Sequence, residues 1–283
     1  MQSQLRTAYV HIGSPKAGSS AIQAALFQNA ELLKKSGYQY LDGGPNHSQL
    51  LAQIFWNDAD AVNMGKHTLP VGDGDFFQHR KFLLAQMSDQ IDRMKANNLI
   101  ISAENLSGFR PDEVKRFISF LNARFDKIRI IGYFREPQNL ATSIAQQRLK
   151  WQGVTLEHCF DNGYAGVVRK AFNLYLEAVG HENFDLRAYH ESGQEFDVVQ
   201  DFANALGLDH SLERKLGDIR VNSAMSHRAA IALSAVNEAS PLYYDHRVSP
   251  FRPNGIVRNC ILLPGPKFVL PTEVFQATAD YLQ

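Results

Sequence analysis

The stretch that most constrains this chain is His11-Ile-Gly-Ser-Pro-Lys-Ala-Gly-Ser-Ser20, where an apolar run, Ala8-Tyr-Val-His-Ile12, gives way to two glycines and then to helical spacing from near Ser19. A strand that turns on glycines into a helix aims unpaired backbone N–H groups and the positive end of the helix dipole at one point. An anion held there is stabilised without further machinery, so the stretch reads as a phosphate cradle. The fold must therefore place a strand, a tight turn and a helix in direct succession.

Gly13 and Gly18 have the spacing of the nucleotide-binding G-x-x-x-x-G-K-[ST] loop, but position 19 is serine and the only lysine, Lys16, lies within the loop after Pro15. A lysine at the helix start reaches the end of a triphosphate, whereas one inside the loop sits against a shorter phosphate chain. Ser14-Pro-Lys-Ala-Gly-Ser-Ser20 resembles the P-K-x-G-[TS]-[TS] loop of sulfotransferases that use 3′-phosphoadenosine 5′-phosphosulfate (PAPS).

A second segment carries the same resemblance. Ile128-Arg-Ile-Ile-Gly-Tyr-Phe134 is a strong strand pattern followed at once by Arg135-Glu-Pro-Gln-Asn-Leu-Ala-Thr-Ser143. In sulfotransferases an arginine ends such a strand, a serine follows eight positions later, and the two bind the cofactor's 3′-phosphate. Pro137 suits the first helical position, which puts Ser143 about two turns in, roughly 9 Å along the axis. Leu140, Ile144 and Leu149 are expected on the buried face of this helix, with Ser143 and Gln147 sharing a more polar one. The resemblance covers about residues 8 to 28 and 99 to 150.

Between these segments, strand and helix patterns alternate. Ile22, Ala25, Leu26, Ala30 and Leu33 predict one helix ended by Ser36-Gly37; Tyr38–Leu41 predicts a short strand. Asn46-His47-Ser48 opens a helix after the Asp42–Pro45 turn, and Leu84, Met87, Ile91 and Met94 repeat at helical spacing. Asn98–Ser102 is continuous and apolar enough for a strand buried on both faces, and Pro111 opens a helix. Further on come a helix through Tyr164 to Val179, a strand at Phe184–Tyr189, a helix closed by Gly207, and a helix capped by Asn222-Ser223. Alternation of this kind predicts an α/β chain, a three-layer doubly wound parallel sheet flanked by helices, with ligands at the carboxyl ends of the strands. The resemblance implies the P-loop nucleotide-kinase-like sulfotransferase version of that fold. One domain is expected over residues 1–283, with a surface excursion at about 42–75 and a loop-rich part at about 241–271. A final helix pattern, Thr272 to Gln283, runs into the chain end.

Composition limits the partners. Lys+Arg and Asp+Glu are both 29, so no bulk field draws the chain to nucleic acid or membrane and any anion site must be local. Cys159 and Cys260 are the only cysteines, in no metal-ligand spacing. The first seven residues hold no apolar run, so neither a signal peptide nor an anchor is expected, and the expected location is cytoplasmic. Oligomeric state leaves no mark on the sequence.

The resemblance implies transfer of a sulfuryl group from PAPS to a hydroxyl or amine of a carbohydrate or small-molecule acceptor, leaving the bisphosphate PAP, with no metal. Ser14, Lys16, Ala17, Gly18, Ser19 and Ser20 would hold the 5′-phosphate; Arg135 and Ser143 would hold the 3′-phosphate; Lys16 would also neutralise charge developing on the bridging oxygen. Two residues compete as general base. His47 is a titratable side chain at a helix start, and Glu104 ends a buried strand on the ligand side, where desolvation raises a carboxyl pKa. Trp56, Trp151 and Tyr164 are candidates for an acceptor groove. A P-loop kinase using ATP and magnesium is the alternative enzyme, opposed by the missing Gly-Lys-[Ser/Thr] at 18–20. A non-catalytic nucleotide-binding protein would carry the same cradle.

Overall fold

The computed structural model describes residues 5–13, 16–58, 73–160, 166–189, 196–208, 225–244, 247–250, 252–271 and 273. Ser14, Tyr164, Asn222, Ser223 and the 272–283 segment except Glu273 lie outside the described residues, as does most of the 42–75 excursion beyond Asp58. The chain divides into two compact units, Met1–Phe134 with Val167–Arg220, and Arg135–Gly166 with Val221–Gln283.

The first unit is built on five strands: β1 (Thr7–Ile12), β2 (Tyr38–Tyr40), β3 (Asn98–Ala103), β4 (Lys127–Arg135) and β5 (Phe184–Tyr189), in the order β2-β3-β1-β4-β5. The β1–β3, β1–β4 and β2–β3 pairings are parallel, with Ile12 opposite both Ala103 and Gly132. Their carboxyl ends therefore lie along one edge. Side chains alternate across the sheet because successive Cβ atoms point to opposite faces. Ala8, Val10, Ile12, Leu99, Ile101, Ile128 and Ile130 pack on one side against α3 (Ser48–Phe55), α4 (Asp73–Asp92), α5 (Pro111–Asn122) and α8 (Gly166–Val179). Ile100, Ile131, Tyr133 and Tyr40 pack on the other against α1 (Ser19–Gln28), α2 (Ala30–Lys35) and α9 (Val198–Leu206). The result is the expected three-layer α/β arrangement with a parallel sheet.

One local expectation changes here. The single helix predicted from Ser19 to Lys35 is two helices, broken at Asn29, whose side-chain amide donates to the Ala25 carbonyl at 2.9 Å and competes with the helical ladder. On the same face of the sheet, α9 is tied down by charge. Arg187 of β5 grips both Asp201 oxygens, and the Tyr133 hydroxyl donates to the same carboxylate at 2.7 Å. Asp201 and Asp185 push the Arg187 pKa up, and burial pushes that of Tyr133 up.

The second unit has its own core. Ala141, Ala145 and Leu149 of α6 (Pro137–Trp151) join Cys159 of α7 (Leu156–Phe160), Ala229, Ala230 and Leu233 of α10 (His227–Ala239), and Phe268. The small residues of α6 take the inward face, and Ile144 is only half-buried. Two polar side chains on α6 are also buried because each meets a backbone donor: Thr142 Oγ1 accepts from Leu270 N, and Gln146 Oε1 accepts from Met225 N, both at 3.1 Å. The cap of α10 is Ser226, which accepts from Ala229 N at 3.0 Å, and not the predicted Asn222-Ser223 pair. The loop-rich 241–271 part holds a two-stranded antiparallel pair, β6 (Tyr243–Tyr244) with β7 (Arg247–Val248), and α11 (Ile256–Ile261).

Candidate functional site

The cradle forms at the carboxyl end of the central strand. Gly13 extends the β1–β3 ladder by one bond, its N–H donating to Ala103 O at 3.1 Å. Lys16 then takes φ +63°, a left-handed conformation found at no other non-glycine among the described residues. Such a residue costs about 1–3 kcal/mol and persists where its surroundings over-determine it, which is common at ligand clamps. Ala17 and Ser19 are buried, and Gly18, at φ +81°, is the N-cap of α1.

Both glycines are required by close approach. A Cβ on Gly13 would stand 2.8 Å from Glu104 Cγ and 2.9 Å from both Glu104 Cα and Ser19 Oγ. A Cβ on Gly18 would meet Val198 Cγ1 at 2.8 Å and Tyr189 Cε2 at 3.0 Å, besides being strained by its φ. The start of α1 has no side-chain cap and no acidic residue in its first turn. No carboxylate of its own first turn offsets its dipole, which suits an external anion. Ser20 is exposed at this end.

Glu104 leaves β3 next to this loop and opens a short 3₁₀ turn, Glu104–Gly108. It is half-buried, and burial raises its pKa while the Lys16 ammonium pulls it back down. A carboxylate and a lysine that sense each other's charge thus share the carboxyl edge, one at the end of β3 and the other in the β1 loop.

His47 is placed otherwise than expected. It is fully buried and packs against the Tyr40 ring at 4.6 Å. Its Nδ1 accepts from Ser102 N at 3.1 Å, so the ring proton lies on Nε2, which donates to Leu41 O at 2.7 Å. Burial lowers its pKa to about 4. With both ring nitrogens engaged by backbone, His47 has no nitrogen left to take a proton from an acceptor. The glycine turn before it does bring it back to the sheet, but to the edge of β3 rather than to a cleft.

Ser102 links this edge to the central strand, its Oγ meeting His11 Nδ1 at 2.8 Å. His11 is wholly buried between the rings of Tyr133 and Phe202, and its pKa falls to about 3. Neither His11 nor Ser102 was singled out from the sequence, although each is a polar residue inside an otherwise apolar strand, which is the signal that could have found them.

Arg135 is the last residue of β4, and Glu136 caps α6, accepting from Gln138 N at 3.0 Å and Asn139 N at 2.9 Å. Pro137 occupies the first turn, as expected, and Ser143 is half-buried with Gln147 exposed. Trp151 is exposed and Trp56 half-buried. Among the described residues no cluster of three His, Cys, Asp or Glu could hold a metal ion, and no helix is long and apolar enough to cross a membrane.

No protein-family model and no curated protein matches this sequence. Solved structures do. A sulfotransferase from Alicyclobacillus acidocaldarius matches with 14% identity over 83% of this chain and 92% of its own, at a TM-score of 0.42. The sulfotransferase domain from the curacin biosynthetic pathway matches with 14% identity over 99% of this chain and 98% of its own, at 0.41. Retinol dehydratase, solved with androsterone and inactive cofactor PAP, matches with 15% identity over 98% of this chain and 80% of its own, at 0.35. At TM-scores below 0.5 these likenesses lend no weight to a function, which has to rest on this chain's own residues.

Proposed function

We propose that this chain is a PAPS-dependent sulfotransferase acting on a hydroxyl or amine of a carbohydrate or other small acceptor. The observation that supports it best is the loop between β1 and α1. Its lysine lies three residues before the helix, its helix end is uncapped, and Glu104 stands close enough that a methyl group on Gly13 would strike it. When bound, PAPS supplies the sulfuryl group for in-line transfer, with PAP as the leaving group. Backbone N–H groups of Ala17 to Ser20 and the hydroxyls of Ser19 and Ser20 bind the 5′-phosphate, with Ser14 at the loop's start. Lys16 stabilises charge developing on the bridging oxygen. Arg135 and Ser143 bind the 3′-phosphate, for which a planar guanidinium offers a two-pronged match.

Glu104 is the general base in this reading. It can accept a proton at Oε, whereas both ring nitrogens of His47 already serve the backbone. A carboxyl raised by burial is a stronger base than one in water, and general bases of this kind contribute typically about 10²–10⁴ in rate. The transfer otherwise depends on positioning and charge stabilisation, by the logic of phosphoryl transfer.

Calorimetric titration of PAP, against ATP with magnesium, on wild type, Lys16→Ala and Arg135→Ala tests this reading. Tight PAP binding weakened by both substitutions supports it. Preference for ATP with magnesium overturns it in favour of a P-loop kinase, and PAP binding indifferent to Arg135 removes the 3′-phosphate assignment. Tight binding without turnover across a broad acceptor panel would point to a non-catalytic nucleotide-binding protein.

A further inference from the structure

Beyond the loop, the β3 edge is completed in an unusual way. β2 pairs with β3 only as far as Tyr40, and Leu41 N donates to Ile100 O at 3.0 Å before the chain turns away through Asp42–Pro45. The next groups on that edge, Ser102 N–H and C=O, would be left without a strand. His47 takes both: its imidazole Nδ1 accepts from Ser102 N at 3.1 Å, and its own N–H donates to Ser102 O at 3.0 Å. A buried backbone donor and acceptor cannot be left unpaired cheaply, so this residue replaces a strand position. Its neighbour continues the work. Ser48, held at the start of α3 by Asn46 Oδ1 accepting from its N–H at 2.9 Å, accepts from Asn105 N at 3.1 Å.

The backbone on both sides of Glu104 is therefore fixed by two consecutive residues, Ser102 by His47 and Asn105 by Ser48. On the strand's other side, Ala103 O receives Gly13 N and Ser102 Oγ meets His11. We propose that His47 and Ser48 are positioning residues, whose role is to fix the carboxylate of Glu104 in place beside the Lys16 loop. This rests on the reading of Glu104 as the base. It assigns His47 a part in the site without proton transfer.

The Glu104 carboxyl itself is the reporter. In full-length protein labelled with ¹³C at glutamate carboxyls, the Glu104 signal is assigned by its loss in Glu104→Gln and titrated in wild type, Ser48→Ala and Ser48→Thr. Releasing Asn105 N–H lets Glu104 take up water, so its midpoint falls back toward the ordinary carboxylate range in Ser48→Ala, while Ser48→Thr restores it. An unchanged midpoint in Ser48→Ala overturns the proposal. Wild-type imidazole ¹⁵N spectra give an independent check. His47 stays neutral with its proton on Nε2 through the pH 6–7 region, and an imidazole titrating near the usual 6.5 overturns the proposal as well. PAP calorimetry on the same samples separates the two ideas. Wild type that fails to bind PAP sinks the sulfotransferase reading and leaves the Ser48 shift interpretable, whereas PAP binding with an unmoved Glu104 midpoint sinks only the positioning role.

Discussion

The helices α1 and α6 both begin where a strand of the same sheet ends, yet their first turns are finished in opposite ways. At α6, Glu136 folds back onto the N–H groups of Gln138 and Asn139. At α1 the cap is a glycine and the first turn holds no acid. An uncapped end keeps its N–H groups and its share of positive dipole for a ligand, while a carboxylate-capped end has spent both. The comparison separates two ways of holding a phosphate. In the proposed PAPS reading the α1 loop uses backbone amides, whereas the α6 start already carries a negative charge of its own, so that reading gives the task there to the Arg135 side chain and to Ser143 farther along the helix.

Removing the cation from the uncapped end should have the largest effect. Lys16→Ala should lower sulfuryl transfer from radiolabelled PAPS about 10²–10³-fold, the usual cost of losing one preorganised donor. A loss smaller than threefold would mean the loop's amides suffice. Acidification comes next. If Glu104 must be ionised to take the proton, wild-type transfer falls about tenfold per pH unit below its raised pKa, a limb lying above the usual carboxylate range, and Glu104→Gln lacks that limb. Giving α1 the feature that α6 already has sharpens the contrast. Ser20→Glu, in the exposed first turn, should weaken PAP binding about tenfold without lowering the melting temperature, since the new carboxylate suits the helix and opposes the ligand. The smallest effect is expected from the converse change. Glu136→Ala should cost about 1 kcal/mol of stability, a few degrees in Tm, and leave PAP affinity equal or slightly higher. A large loss of affinity there would break the comparison.

The strands that carry the site were legible because each is a run of apolar residues too continuous for a surface: Ala8–Ile12, Asn98–Ser102 and Ile128–Phe134 lie within β1, β3 and β4. The loop was legible for a different reason, since glycine spacing and a lysine between them leave few local conformations. What the sequence hid depends on partners distant in the chain. Nothing near His47 announces that β2 stops two residues short of Ser102, so a histidine after a Gly-Gly-Pro turn looked cleft-facing when it was needed to complete a sheet edge. The second core was hidden in the same way. Ala141 and Ala145 are weak apolar signals, and only their meeting with Leu233 and Phe268 makes them a buried face. Asn29 could have been read as a break in a helix, because its amide competes with the backbone, but the apolar spacing on either side ran straight through it.

The clearance at Gly13 has a consequence for anyone who would alter this protein. Glu104 and Ser19 both lie within 3 Å of where a side chain at position 13 would begin. Positions 13, 19 and 104 therefore cannot be varied as independent sites. A library that randomises them one at a time will record each as intolerant, and the energies of paired changes will not add. The loop and Glu104 form one heritable part, and other properties have to be retuned through residues that leave this contact alone.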